Sequence, residues 1–251
     1  VTWRSSLAAA AALAATLLCS SAAKAAAPSI RYTFVYGQNY LYVKDIAAYY
    51  GMSVSYRSGS CEMKGGRTRI SFTYDRRDGS VNGVGVNYLF PVVLLGSDPL
   101  VSQLDFNFVI DPVMRCYTVR KQMVRTIMLD PGHGGQDNGA AGVKYLEKDL
   151  TLQMAQKLKA VLQSCGYNVY LTRDRDRYLT LDERAARCRS VGADLFISIH
   201  CNAAGKKSIT GIETYCLTPE GAPSTADKKP KKTAERGNQF NRNNYFLAYM
   251  I

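Results

Sequence analysis

Two hydrophobic rhythms divide the chain. From Ser29 to about Arg120, short apolar stretches alternate with polar positions: Tyr32 to Tyr36, Val54 to Tyr56, Thr68 to Tyr74, Val84 to Phe90 and Phe106 to Ile110. Alternation over four to eight residues marks half-buried strands. Gly37-Gln38-Asn39, Gly65-Gly66, Asp78-Gly79 and Asn82-Gly83 supply the turns between them. One helix, near Leu41 to Tyr50, interrupts the strands. Residues 29–120 therefore read as a small β-rich α+β domain.

From Val124 onward the period changes. Buried apolar runs at Thr126 to Leu129, Asn168 to Thr172 and Leu195 to Ile199 alternate with segments of helical spacing. Leu146, Leu150, Met154, Leu158 and Val161 recur every three or four residues and predict one apolar helix face, ended by Cys165-Gly166. A second helix is predicted from about Leu181 to Ser190, stopping before Gly192. Strand, helix and strand in alternation predict an α/β domain over 124–251 with parallel pairing. His200 then stands at the carboxyl end of the last strand, where open parallel sheets place their sites.

Composition agrees with two folded domains. The 251 residues are 47% hydrophobic and 21% charged, without the bias of disordered or fibrous chains. The first 25 residues differ: Arg4 precedes an apolar run from Leu7 to Leu18, followed by Ala23-Lys24-Ala25, the pattern of a secretory signal peptide. That run is too short to span a bilayer, and no later one is longer, so no transmembrane segment is expected. Losing Arg4 and Lys24 lowers the formal charge from +12 to +10. A basic exported chain suits an anionic partner such as cell-wall polymer, and nucleic acid is not an expected partner outside the cytoplasm. The expected location is the periplasm, the cell envelope or the exterior. Cys61, Cys116, Cys165, Cys188, Cys201 and Cys216 permit 15 pairings and include no CxxC, so disulfides and free thiols both stay open.

After residue 25 the chain has two histidines, and both sit where a strand gives way to a loop: His133 in Asp130-Pro131-Gly132-His133-Gly134-Gly135, and His200 in Ser198-Ile199-His200-Cys201-Asn202. The glycines beside His133 suggest a phosphate loop, but the lysine and hydroxyl of a P-loop are absent. Glu147 opens the first helix, fourteen residues after His133, and the intervening loop can return it to the same edge. Two imidazoles and a carboxylate are a catalytic zinc set, with the fourth position left for water. A glutamate in a first helical turn also has a plainer role opposite the helix dipole, and spacing alone leaves the two even.

Six ordered motifs then carry a resemblance. Ile127 to Ala140 (IMLDPGHGGQDNGA), Leu146 to Leu150 (LEKDL), Gly166 to Asp176 (GYNVYLTRDRD), Leu181 to Arg187 (LDERAAR), Ala193 to Asn202 (ADLFISIHCN) and Gly211 to Leu217 (GIETYCL) resemble the zinc-dependent N-acetylmuramoyl-L-alanine amidase family. The resemblance implies a twisted, mostly parallel sheet with helices on both faces. It implies Zn2+ on His133, Glu147 and His200, and peptidoglycan as substrate. The family's general base is a glutamate in a late strand, for which this chain has no matching motif. The expectation is that this glutamate lies beyond Ile251 and that the domain is incomplete at its C-terminus. Glu213, expected on a strand after His200, is a weak substitute. Arg173 and Asn202 are the candidates for orienting substrate or ligands, with pairing to loop backbone as their plainer role. In the first domain, Tyr40 to Ala47 (YLYVKDIA) and Val81-Asn82-Gly83 resemble loosely the N-terminal domain of copper amine oxidases, which implies an accessory or stalk unit. Tyr49, Tyr50, Tyr56 and Tyr88 there could stack on sugars, although strand aromatics are more often core.

The rival to an enzyme is a wall-binding protein that keeps the metal site without turnover. A zinc peptidase is disfavoured, since no HExxH is present. The run Lys228-Lys229-Pro230-Lys231-Lys232 lies in a polar stretch from Thr218 to Gly237, read as a long solvated loop with a possible role in contacting anionic wall polymer.

Overall fold

The computed structural model describes residues 29–142, 144–202, 210–225, 227, 229–230 and 232–251. The expected signal peptide, and Lys228 and Lys231 of the basic run, lie outside the described residues. The chain forms two compact units, one of residues up to Met114 together with Thr218–Asn241, the other of Arg115–Leu217 together with Arg242–Ile251. In this division the polar stretch from Thr218 packs with the first unit. There Ala222 is fully buried, and the Arg77 guanidinium donates to the carbonyls of Pro223 and Ser224 at 3.3 and 3.1 Å.

The first unit holds two antiparallel sheets. β1 (Tyr32–Val35) and β2 (Gln38–Tyr42) pair with each other, and β2 with β9 (Asp98–Ser102), which pairs with β8 (Val93–Leu95). The second sheet is a meander of β3 (Ser53–Arg57), β4 (Ser60–Gly65), β5 (Thr68–Thr73), β6 (Asp78–Val81) and β7 (Val84–Asn87). α1 (Val43–Tyr49) buries Val43, Ile46 and Ala47. Alternation puts Cys61, Met63, Ile70, Phe72 and Val81 on one face, each nearly without exposure. Tyr88 stacks on Phe72 at 5.2 Å, and Gly79 makes room for it, since a Cβ there would lie 2.6 Å from the Tyr88 ring. Tyr88 is therefore core and not a sugar platform. Tyr49 and Tyr50 pack edge-on with each other and approach Phe106, whereas Tyr56 is half exposed.

Phe106 to Ile110 is not a strand. It is a π-helical turn between α2 (Gln103–Asp105) and α3 (Asp111–Met114). The Ser102 hydroxyl caps α2 by accepting from the Asp105 N–H at 3.0 Å, which starts a helix where apolar residues alone suggest β. The β-run at Val84 also ends early, at Asn87. Asp105 is buried and accepts from the N–H groups of Leu89 and Phe90 and from the Ser102 hydroxyl. Burial pushes its pKa up to about 6, against the lowering effect of those three donors. A folded pKa above the unfolded value of about 4 means that this stabilisation is complete below about pH 4 and is lost as pH rises through about 6. The difference in unfolding free energy between the native chain and Asp105→Asn is therefore expected to fall by about 3 kcal/mol between pH 4 and pH 8. A difference independent of pH would count against it.

The second unit is a parallel sheet of order β11 (Asn168–Leu171), β10 (Thr126–Pro131), β12 (Leu195–Ile199), joined through α4 (Glu147–Ser164) and α5 (Leu181–Ser190). These elements match the expected ones closely. Ile127, Leu129, Ala155 and Val169 form its core, with Leu158, Leu162, Leu171, Leu195, Ile197 and Ile199 packed around them. The buried stripe of α4 runs through Glu147, Thr151 and Ala155 to Leu158 and Leu162. The expected stripe is displaced, with Met154 and Val161 half exposed or more. α6 (Asn241–Met250) is fastened by Arg242 to the Thr118 hydroxyl and by Asn243 to the Arg120 carbonyl. Residues 210–217 have no regular structure, so the strand expected to carry Glu213 does not form. All six cysteines from Cys61 to Cys216 are free thiols. Among the described residues no helix is long and apolar enough to cross a membrane.

Candidate metal centre

Parallel pairing sets the carboxyl ends of β10 and β12 side by side, and the Gly132 N–H donates to the Ile199 carbonyl at 3.0 Å. The chain leaves both strands at this edge, delivering His133 and His200. α4 brings Glu147 to the same place. Its N-cap, Leu146, has no capping side chain, and the preceding loop substitutes for one: the N–H groups of Glu147 and Lys148 donate to the carbonyls of Ala140 and Asn138.

The three side chains meet. His133 Nε2 lies 3.1 Å from Glu147 Oε1, His200 Nδ1 lies 3.2 Å from the same oxygen, and the two imidazole nitrogens are 3.2 Å apart. Tetrahedral coordination with bonds of about 2.0 to 2.2 Å places neighbouring ligand atoms roughly 3.3 Å from one another. The triangle therefore fits a single small divalent cation. Without a cation, a proton on His200 Nδ1 would serve two of these contacts and leave His133 Nε2 facing Glu147 Oε1 as two acceptors. Two glycines let the rings approach: a Cβ on Gly132 would lie 2.4 Å from His200 Cε1, and one on Gly139 would lie 2.5 Å from His133 Cδ2. His133 itself adopts a φ of +62°, the left-handed conformation that turns its ring inward.

The surrounding groups fix protonation. Asp137 Oδ2 lies 2.9 Å from His133 Nδ1, which keeps the proton on that nitrogen and leaves the Nε2 lone pair facing Glu147 and His200. The same bond holds the Asp137 carboxyl below the usual carboxylate range. Burial pushes the Glu147 pKa upward, but the N–H groups of Ala140 and Cys201, at 2.8 and 2.7 Å, outweigh it together with the imidazoles, and the carboxyl stays below its ordinary value. The group is thus ready as an ionised ligand at neutral pH.

Two buried guanidinium groups hold the loop from below. Arg173, fully buried, donates to the carbonyls of Pro131, Gly132 and Lys148. Arg184 donates to the carbonyls of Pro131 and His133 and pairs with Asp130 at 2.7 Å. Arg173 was a candidate for orienting substrate or ligands. Its nitrogens are spent on backbone, so it orients the ligand loop and has no surface to offer a substrate. Asn202 is exposed, two residues beyond His200. Glu213 is also exposed, and its carboxylate accepts from the Tyr215 hydroxyl at 2.8 Å, with no bond to the triad among the described residues. Asp137 and Arg184 are contributors that sequence reasoning passed over; the acid four residues after His133 was the available signal.

Residues 127–247 match the family model described as N-acetylmuramoyl-L-alanine amidase. This part of the chain belongs to that family. It is similar to the N-acetylmuramoyl-L-alanine amidase AmiC of Escherichia coli, 44% identical over 104 residues, 41% of this chain and 25% of that protein. It is also similar to the sporulation-specific N-acetylmuramoyl-L-alanine amidase of Bacillus subtilis, 44% identical over 101 residues, 39% of this chain and 38% of that protein. Among solved structures it resembles the catalytic domain of CwlV, an N-acetylmuramoyl-L-alanine amidase from Bacillus (Paenibacillus) polymyxa var. colistinus. That match is 35% identical, covers 39% of this chain and 56% of that one, and has a TM-score of 0.37. The chain spans between 25% and 44% of the length of the curated relatives it matches. Among the described residues, His133, Glu147 and His200 form a group whose donor atoms could hold a metal ion.

Proposed function

We propose that the amidase domain hydrolyses the amide between N-acetylmuramic acid and L-alanine in peptidoglycan, using zinc held by His133, Glu147 and His200. The observation that carries this reading is the triangle of donor atoms, 3.1 to 3.2 Å on each side, within a segment of the amidase family. Zinc in such a set supplies Lewis acidity toward a carbonyl and lowers the pKa of water toward 7. The residues of the chain hold and orient it. Glu147 stays ionised through two backbone N–H groups, and Asp137 keeps the Nε2 lone pair of His133 free. A cleft of about 410 Å³ opens beside Glu147, walled by Ala140, Tyr145 and Leu150, and can receive the acyl and amine sides of an amide. Asn202, exposed and adjacent in sequence to Cys201 of the cleft wall, is our candidate for contacting what enters. Export to the cell envelope, resting on residues 1–25, and an accessory role for the first unit complete the reading.

The test is release of muropeptides from purified sacculi. The native chain is expected to free peptides with L-alanine at their amino end, a chelator to stop release, and added zinc to restore it. A chain that retains zinc and binds sacculi without freeing such peptides would be a wall-binding protein.

A further inference from the structure

The cleft beside Glu147 contains a feature that the metal centre does not use. The chain between Ala141 and Leu146 is pinched into a short hairpin, with the Gly142 N–H donating to the Tyr145 carbonyl at 3.0 Å. Lys144 precedes Tyr145, whose carbonyl closes the turn, and both line the cleft with Glu147, Leu150 and Cys201. Two charged side chains border this space. Glu147 belongs to the donor triangle, and its oxygens already accept from Ala140 and Cys201. The Lys144 ammonium lies 5.4 Å from the centre of the Tyr145 ring and makes no ion pair among the described residues.

An exposed ammonium without a partner costs nothing in water. Once a ligand fills an apolar-walled cleft and strips that water away, the same ammonium favours a ligand that brings a carboxylate and opposes one that does not. This inference rests on the proposed amidase reading, under which the muramic acid side is uncharged, its lactyl carboxyl being tied up in the scissile amide. Free carboxylates of the substrate then lie on the peptide side. We propose that Lys144 is a specificity-determining residue that recognises a free carboxylate on the peptide next to the scissile amide, so that the site prefers acidic stems to amidated ones.

The test uses two soluble compounds that differ in one group, the γ-methylamides of N-acetylmuramoyl-L-alanyl-D-glutamate and of the corresponding isoglutamine, so that only the first carries a free carboxylate. The zinc-loaded chain is expected to cleave the acid with a kcat/KM about 5- to 10-fold higher than the amide, and the ratio should shrink as salt is raised. Lys144→Gln should bring the ratio near one by slowing the acid alone, Lys144→Arg should keep most of it, and Lys144→Glu should reverse it. Lys157→Gln, which removes an exposed charge from α4, should leave the ratio unchanged. Equilibrium binding of the same two compounds is measured in parallel. A Lys144-dependent preference for the acid in binding, without cleavage, upholds the carboxylate site while overturning the amidase reading. A native ratio near one in both measurements, or an equal loss on both compounds in Lys144→Gln, overturns the proposal.

Discussion

Replacement of His200 by alanine is expected to abolish stoichiometric zinc retention and to reduce muropeptide release by more than about 100-fold. Removing a partner that merely orients a metal ligand costs about 10- to 100-fold in affinity or activity, and loss of a ligand exceeds that. The three donors leave no spare: His133 Nε2 and Glu147 Oε1 remain, 3.1 Å apart, and two protein ligands are fewer than a catalytic zinc site uses. His200 suits the experiment because its side chain is 44% exposed and stands beyond the end of β12, outside the core between the sheet and α4. The zinc-free variant should therefore melt close to the zinc-free native chain. Metal content per chain, the melting temperature without metal, and release from sacculi separate the outcomes. A His200→Ala chain that keeps one zinc and releases muropeptides at near-native rate would remove the triangle from the mechanism.

The parts of this design legible in the sequence are those governed by local pattern. β10 is an apolar run buried on both faces, as the central strand of a parallel sheet is, β11 and β12 bury alternate residues beside it, and α5 carries the Thr180 and Glu183 capping box at its start. His133 and His200 were found because both follow such a strand. The misreadings have a common origin in polar groups that are buried for a reason. α4 buries Glu147 and Thr151 because one belongs to the donor triangle and the other donates to the Gly132 carbonyl at 2.9 Å, so its inward face is not its most apolar one. Phe106 to Ile110 looks like a strand until the Ser102 and Asp105 pair is seen to cap a helix. Arg173 was left between orienting substrate or ligands and pairing with loop backbone, and the structure shows the second. Its role depends on which carbonyls the fold presents to it, and no spacing in the chain reveals that.

The other buried arginine yields the larger stability effect. Arg184→Met is expected to destabilise the second unit by about 3 to 5 kcal/mol, lowering its melting temperature by more than about ten degrees. The Arg184 and Asp130 side chains are 7% and 5% exposed, and Asp130 also accepts from the hydroxyls of Thr172 and Ser198. Removing the guanidinium leaves a carboxylate buried without a counter-ion, and it strips donors from the carbonyls of Leu179, Pro131 and His133. Methionine matches the length and restores none of these bonds. Lysine keeps the charge but cannot span acceptors that a planar fork reaches together, so Arg184→Lys should fall between the native chain and methionine. The dominant cost can be isolated. If it is the stranded charge, the double replacement Arg184→Met with Asp130→Asn should be more stable than Arg184→Met alone, despite having one more altered residue. Zinc affinity should stay reduced in both, because the His133 carbonyl has lost its anchor in each. A single variant that melts within about two degrees of the native chain would show that the ion pair is replaceable and that Arg173 alone suffices to hold the ligand loop.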